Sequence, residues 1–157
     1  MIDTIEELTN EAVPEIFKQM LGLEIKREAP RSLDSDPTGQ IISSVGFIGQ
    51  ANGVIYLSAG LHFARVITGK MLGLPEAEVD PGDMVNDAVG ELSNMVVGRV
   101  KSRLCDRGWS CKLTIPSIVR GQQLSVEGLP SVTRKVLGFA NCKNRLLAEI
   151  LIQESEA

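Results

Sequence analysis

Residues 87–98 read DAVGELSNMVVG. Around them Val85, Val89, Leu92, Val96, Val100 and Leu104 recur three or four residues apart, which predicts a long helix with one apolar side. Asp80-Pro81 opens it, with proline near the first turn, and it runs to about Arg107, where Gly108 ends it. On the other side fall Asp83, Asp87, Gly90, Glu91, Asn94, Gly98 and Lys101. A solvated face explains the charges but not the rest. Each interior glycine costs ~1 kcal/mol against alanine, and asparagine is also a weak helix former. Local rules broken together on one face concentrate at functional sites. The glycines clear bulk beside Glu91 and Asn94, so that another macromolecule can approach the helix closely.

Upstream of this helix, Ile5, Leu8, Ala12, Ile16 and Met20 predict a first helix over residues 2–21, either kinked at Pro14 or restarting near Asn10. EIKREAPRSLDSDPTG (24–39) reads as a short edge strand followed by a loop. IISSVGFIGQ and GVIYLSAG are strands whose junction carries the hairpin signal Asn52-Gly53. HFARVITGKMLG is a short amphipathic helix closed by Gly73. Downstream, CKLTIPSIVRG is too interrupted by Pro116 to form a central strand, and TRKVLGFA and RLLAEILIQ form a final hairpin about NCKN. The fold class is therefore α+β, an antiparallel sheet with helices packed on one face, and residues 1–157 are expected to form one domain. The final hairpin is apolar on both faces, which predicts a second subunit covering or extending the sheet, a homodimer.

At 157 residues the chain is long enough to bury a core without metal or disulfide staples. Its net charge of −4 argues against nucleic acid, since phosphate binding relies on clustered Lys and Arg. Arg99, Lys101, Arg103 and Arg107 are read as complements to the long helix's dipole rather than a binding stripe. Cys105, Cys111 and Cys142 are scattered and His62 is the one histidine, so no zinc pattern exists and reduced cytosolic thiols are expected. The acidic N-terminus does not resemble a signal peptide, and no run approaches the ~20 apolar residues of a membrane span. A cytoplasmic chain without membrane contact, and without a cofactor or metal of its own, is the expectation.

Glu91 can accept hydrogen bonds or pair with a cation, and Asn94 can hold a water through its donor and acceptor. Neither supplies a self-contained hydrolase, which needs a nucleophile with its base or a metal. His62 lies at the start of another helix without an evident partner, and Ser93 is one residue off the stripe with no local base. The pair suits a reaction whose remaining machinery a partner brings.

Asp87-x3-Glu91-x2-Asn94, followed by Pro116, resembles the signature of the CheC/CheX/FliY chemotaxis phosphatases. GELSNMVVGRVKSRL and IPSIVRG are most similar to the CheX branch, as are the single motif copy and the element order from Gly22 to about Gly128. The resemblance implies a substrate: a CheY-type receiver domain phosphorylated on aspartate, which contributes its own lysine and a divalent cation, Mg2+. It further implies that Asn94 orients the attacking water and Glu91 engages that lysine, making these the catalytic pair. Asp87, Gly90, Gly98 and Lys101 are then partner-binding positions, and Pro116 shapes the chain beyond the helix. It implies a homodimer built through sheet edges. The alternative is a non-catalytic dimeric adaptor of the same fold that binds the phosphorylated receiver, although the intact Glu91 and Asn94 favour the enzyme.

Overall fold

The expected order of elements is found in the computed structural model, which describes residues 1–33 and 36–153. Helix α1 spans Ile2–Ile16 without restarting at Asn10. It accommodates Pro14 and continues into a π-helical turn, Phe17–Leu21, that ends at Gly22. The edge strand β1 is Lys26–Glu28; residues 34 and 35 of the loop expected after it lie outside the described residues. Strands β2 (Gln40–Gly49) and β3 (Gly53–Gly60) form an antiparallel hairpin. Helix α2, Leu61–Leu72, ends at Gly73 in a left-handed conformation, and α3 spans Asp83–Asp106. Strands β4 (Cys111–Leu113), β5 (Ser117–Gly121), β6 (Val132–Asn141) and β7 (Asn144–Gln153) complete the sheet.

Among the described residues the sheet has seven strands, all antiparallel, in the order β1-β6-β7-β3-β2-β4, with β5 also on β2. Pro116 thus divides one edge into two short strands, as its missing N–H requires. The hairpin β2–β3 departs from expectation in detail. Asn52-Gly53 is not a two-residue turn, because Gly53 is already a strand residue paired with Phe47. A Cβ at Gly53 would come within 2.3 Å of the Leu151 carbonyl oxygen, so glycine is needed there for close packing of strands. Asn52 instead accepts the Gly49 N–H at 3.0 Å and closes a longer turn. The final hairpin does turn at Cys142-Lys143, with Cys142 at φ 54°.

The helices cover one face of the sheet. Leu8 of α1, Phe17 of the π-helical turn, Phe63 of α2 and Leu92 of α3 pack with Ile55, Phe139 and Ile150 in one buried cluster. Burying such side chains contributes roughly 1.5–3 kcal/mol each. Helices α1 and α3 run antiparallel and are joined along their flank by ion pairs. Arg107 meets Glu7, Arg103 meets Glu11 and Glu15, and Arg99 meets Glu15. These arginines therefore serve α1 rather than mainly the dipole of their own helix. The reason is periodic: glutamates four residues apart on one helix face arginines four apart on the other.

The apolar final hairpin has a different explanation from the one expected. Strand β7 is central, between β6 and β3, and β6 is covered by β1, so this hairpin is not an edge. On the face away from the helices the segment 122–131 lies over it. A Cβ at Gly128 would sit 3.2 Å from Leu151, and the Leu124 N–H donates to Gln40 at 3.1 Å. Beneath it Glu149 is buried and receives Arg134 at 2.9 Å. The chain itself covers the second apolar face, and that apolarity therefore calls for no second subunit. Among the described residues no helix is long and apolar enough to cross a membrane.

Candidate functional site

Helix α3 is held at both ends. At its start the Asp80 carboxylate accepts the Gly82 N–H at 3.0 Å. Arg120 of β5 donates to the Pro81 carbonyl at 2.7 Å and to the Asn86 side chain at 3.2 Å. Towards its end, the glutamates of α1 hold Arg99, Arg103 and Arg107, and Gln19 accepts from Arg99 at 2.8 Å. The Glu15 carboxyl is held below its ordinary range chiefly by the hydrogen bond from Arg103, against a smaller opposing effect of burial.

Between these clamps, Asp87, Glu91, Asn94 and Gly98 recur at helical spacing on one side of α3. Asp87 and Glu91 are exposed, and Asn94 and Gly98 are half-buried. Among the described residues, the side chains of Glu91 and Asn94 make no hydrogen bond or ion pair. The helix that carries them is fixed, and these side chains can meet an external partner without first giving up contacts within the described chain. The apolar side is as predicted: Val85, Val89, Leu92, Val96, Val100 and Leu104 are all buried.

The two glycines separate. Gly98 has open space where a side chain would begin. Gly90 is buried and does not lie on the open stripe, which corrects the expectation for that residue. Its missing Cβ would be 3.7 Å from Pro116 and 3.8 Å from Ile118, so this chain's own β4–β5 crossover occupies the approach. Pro116 is thus seated on α3, one residue from Glu91 along the helix. Lys101 is half-buried near the far end of the stripe and lies close enough to Cys111 to oppose the rise that burial imposes on that thiol.

The other polar candidates are elsewhere or inward-facing. Ser93 is fully buried and its hydroxyl has no partner, so it cannot serve the open face. His62 lies exposed on α2, with Nδ1 3.5 Å from Glu76. Its backbone N–H donates to Asp36 at 2.9 Å, which holds the start of α2. Burial raises the Asp36 pKa, but hydrogen bonds from Thr38 and from the His62 backbone outweigh it and leave the carboxyl below its ordinary range. Among the described residues, no group of three or more His, Cys, Asp or Glu is placed to hold a metal. Sequence reasoning missed Arg120 and the α1 glutamates as supports of α3. A signal for the second existed in the four-residue spacing of Glu7, Glu11 and Glu15.

Solved structures share this fold. The described fold superposes on the chemotaxis protein CheX from Vibrio vulnificus with a TM-score of 0.81 at 23% identity, covering 94% of this chain and 95% of that one. It also matches the CheX-CheY-BeF3-Mg+2 complex from Borrelia burgdorferi, at TM-score 0.77 and 18% identity, over 95% of this chain and 97% of that chain. A sequence relative, the CheY-P phosphatase CheX of Thermotoga maritima, is 25% identical over 118 residues, 74% of this chain and 75% of its own. The family model described as chemotaxis phosphatase CheX matches residues 41–139, which run from the second residue of β2 through most of β6 and include the whole of α3. The chain belongs to the CheX family of chemotaxis phosphatases.

Proposed function

We propose that this chain accelerates hydrolysis of the aspartyl phosphate on a CheY-type receiver domain by presenting Glu91 and Asn94 to the receiver's active site. The observation that carries the reading is the line of exposed Asp87 and Glu91 and half-buried Asn94, with Glu91 and Asn94 unengaged, on a helix clamped by α1 and β5. Support comes from the family and from a relative named for activity on CheY-P.

In this mechanism Asn94 accepts a hydrogen bond from the attacking water, or donates one to it, and aims it at the phosphorus in line with the bond to the aspartate oxygen. Glu91 accepts from the receiver's lysine and fixes the two proteins in register. The receiver supplies the phosphoryl group, the lysine and its Mg2+. Water adds to phosphorus, the acyl phosphate bond breaks, and the products are inorganic phosphate and the free aspartate. Placement of a nucleophile is a recognised source of rate in phosphoryl transfer. Asp87, Gly98 and Lys101 border the contact.

The test is loss of phosphate from an acetyl-phosphate-loaded receiver with and without the chain. Asn94→Ala is expected to reduce the acceleration by ~10²–10³, by analogy with loss of one preorganised donor. A wild type that binds the loaded receiver without shortening its lifetime makes the chain an adaptor instead. The homodimer also stands as a proposal. Two edges, β1 and β4/β5, are available for strand addition, and Ile48 and Val119 beside the second are more than half exposed. A solution mass of one chain by light scattering contradicts it.

A further inference from the structure

Ile115 is the most exposed large apolar side chain among the described residues, at 85%, yet the residues on either side of it are held. It occupies the crossover between β4 and β5. On one side Thr114 is bonded to β2 twice: its N–H donates to the Gly46 carbonyl and its hydroxyl oxygen accepts the Gly46 N–H, each at 2.9 Å. That hydroxyl also donates to the Ile115 carbonyl at 3.3 Å. On the other side Pro116 rests against Gly90 of α3, and Ile118 packs into the cluster of Val85 and Val89. A singly exposed apolar residue is ordinary on a protein surface, so exposure alone assigns it nothing. Ile115 is distinguished by its place: carried between Thr114, bonded to β2, and Pro116, seated on α3, it stands beside the turn that carries Glu91.

The geometry points to Ile115 as a docking anchor for the receiver domain, one that sets affinity while Glu91 and Asn94 act on the phosphate. The inference rests on the receiver reading given above and adds the apolar part of its contact. Charged and amide groups on α3 give orientation but little affinity in water, since their hydration must be removed. An aliphatic side chain carried on a held segment at the margin needs little backbone ordering on binding and removes water around the polar pair. The receiver surface that fits is an apolar patch flanking the mouth of its acidic phosphorylation pocket. The continuity of Pro116, Gly90 and Glu91 places Ile115 where that flank arrives.

The experiment measures binding and turnover separately. The CheY-type receiver of the same organism, loaded with Mg2+ and beryllofluoride, is titrated with wild type, Ile115→Asp and Ile115→Leu, and steady-state dephosphorylation is followed with the phosphorylated receiver. Ile115→Asp is expected to raise Kd and KM by about tenfold or more, as for an interface anchor, with kcat at saturation retained. Ile115→Leu is expected to restore wild-type affinity. Asn94→Ala shows the opposite split, a lowered kcat with binding kept. Unchanged Kd and KM in Ile115→Asp overturn the anchor, and so does a change in the chain's own solution mass as the only effect. If wild type binds the loaded receiver through Ile115 but accelerates nothing, the anchor stands and the phosphatase reading falls. If wild type does not bind the loaded receiver, both are overturned.

Discussion

Pro116 faces Gly90 across a gap that a methyl group would just fill, 3.7 Å from the position of the missing Cβ. This contact joins the β4–β5 crossover to α3 immediately before Glu91. It explains why the proline lies so far along the chain from the helix motif and yet belongs to the same site. Alanine meets only ordinary contacts there, whereas a longer side chain must displace the crossover. Gly90→Ala is therefore expected to stabilise the protein by roughly 0.5–1 kcal/mol through helix propensity. Gly90→Leu is expected to destabilise it by about 1–3 kcal/mol through overpacking. Urea unfolding curves of the two variants check the opposite signs.

Gly98 offers the contrasting case, because nothing surrounds its missing side chain. Gly98→Leu should leave stability unchanged or raise it by up to ~1 kcal/mol. It should weaken binding to the loaded receiver, since the new side chain stands in the partner's approach. Equal affinity by fluorescence anisotropy removes the close-approach role of that residue.

Glu91 is exposed and its side chain is unengaged within the described chain. Glu91→Gln is accordingly expected to shift unfolding free energy by no more than about 0.5 kcal/mol. The same change should slow receiver dephosphorylation at least ~10-fold, the loss of a charge-assisted hydrogen bond. A large loss of stability alongside the loss of rate means that the residue supports the fold rather than the reaction.

Glu15 and Arg103, 2.6 Å apart, predict a pH effect on stability. The folded carboxyl titrates below its ordinary value of 4.5, so its contribution is fully present above that value. It is lost as pH falls through the lower folded pKa. Both partners are partly exposed and screened, which keeps the pair to less than about 1 kcal/mol. Glu15→Gln should be less stable than wild type at pH 7, by a difference that shrinks at a strongly acidic pH as the folded carboxyl takes up its proton. Denaturant midpoints at the two pH values decide this.

Much of the architecture was legible because it is periodic or punctuated locally. The spacing of Val85 to Leu104 shows α3, Gly73 and Gly108 mark the ends of two helices, and the turn at Cys142-Lys143 joins the last two strands. Asp87, Glu91 and Asn94 were legible as a stripe for the same reason, being four and three residues apart. Strand order was not legible, since pairing between distant segments leaves no local trace. The apolarity of β7 was therefore read as a free surface when it belongs to the centre of the sheet.

By its own periodicity the sequence determined the elements, the apolar and polar sides of α3, and the residues that the family motif matches. Only the tertiary structure decided what surrounds that helix. Glu15 and Arg103 are 88 residues apart in the chain, and Arg120 and Pro81 are 39 apart. Such contacts depend on how helices and strands pack. The same packing sends Gly90 under Pro116, leaves Gly98 open and lifts Ile115 into solvent, because a residue's exposure is a property of its neighbours in space.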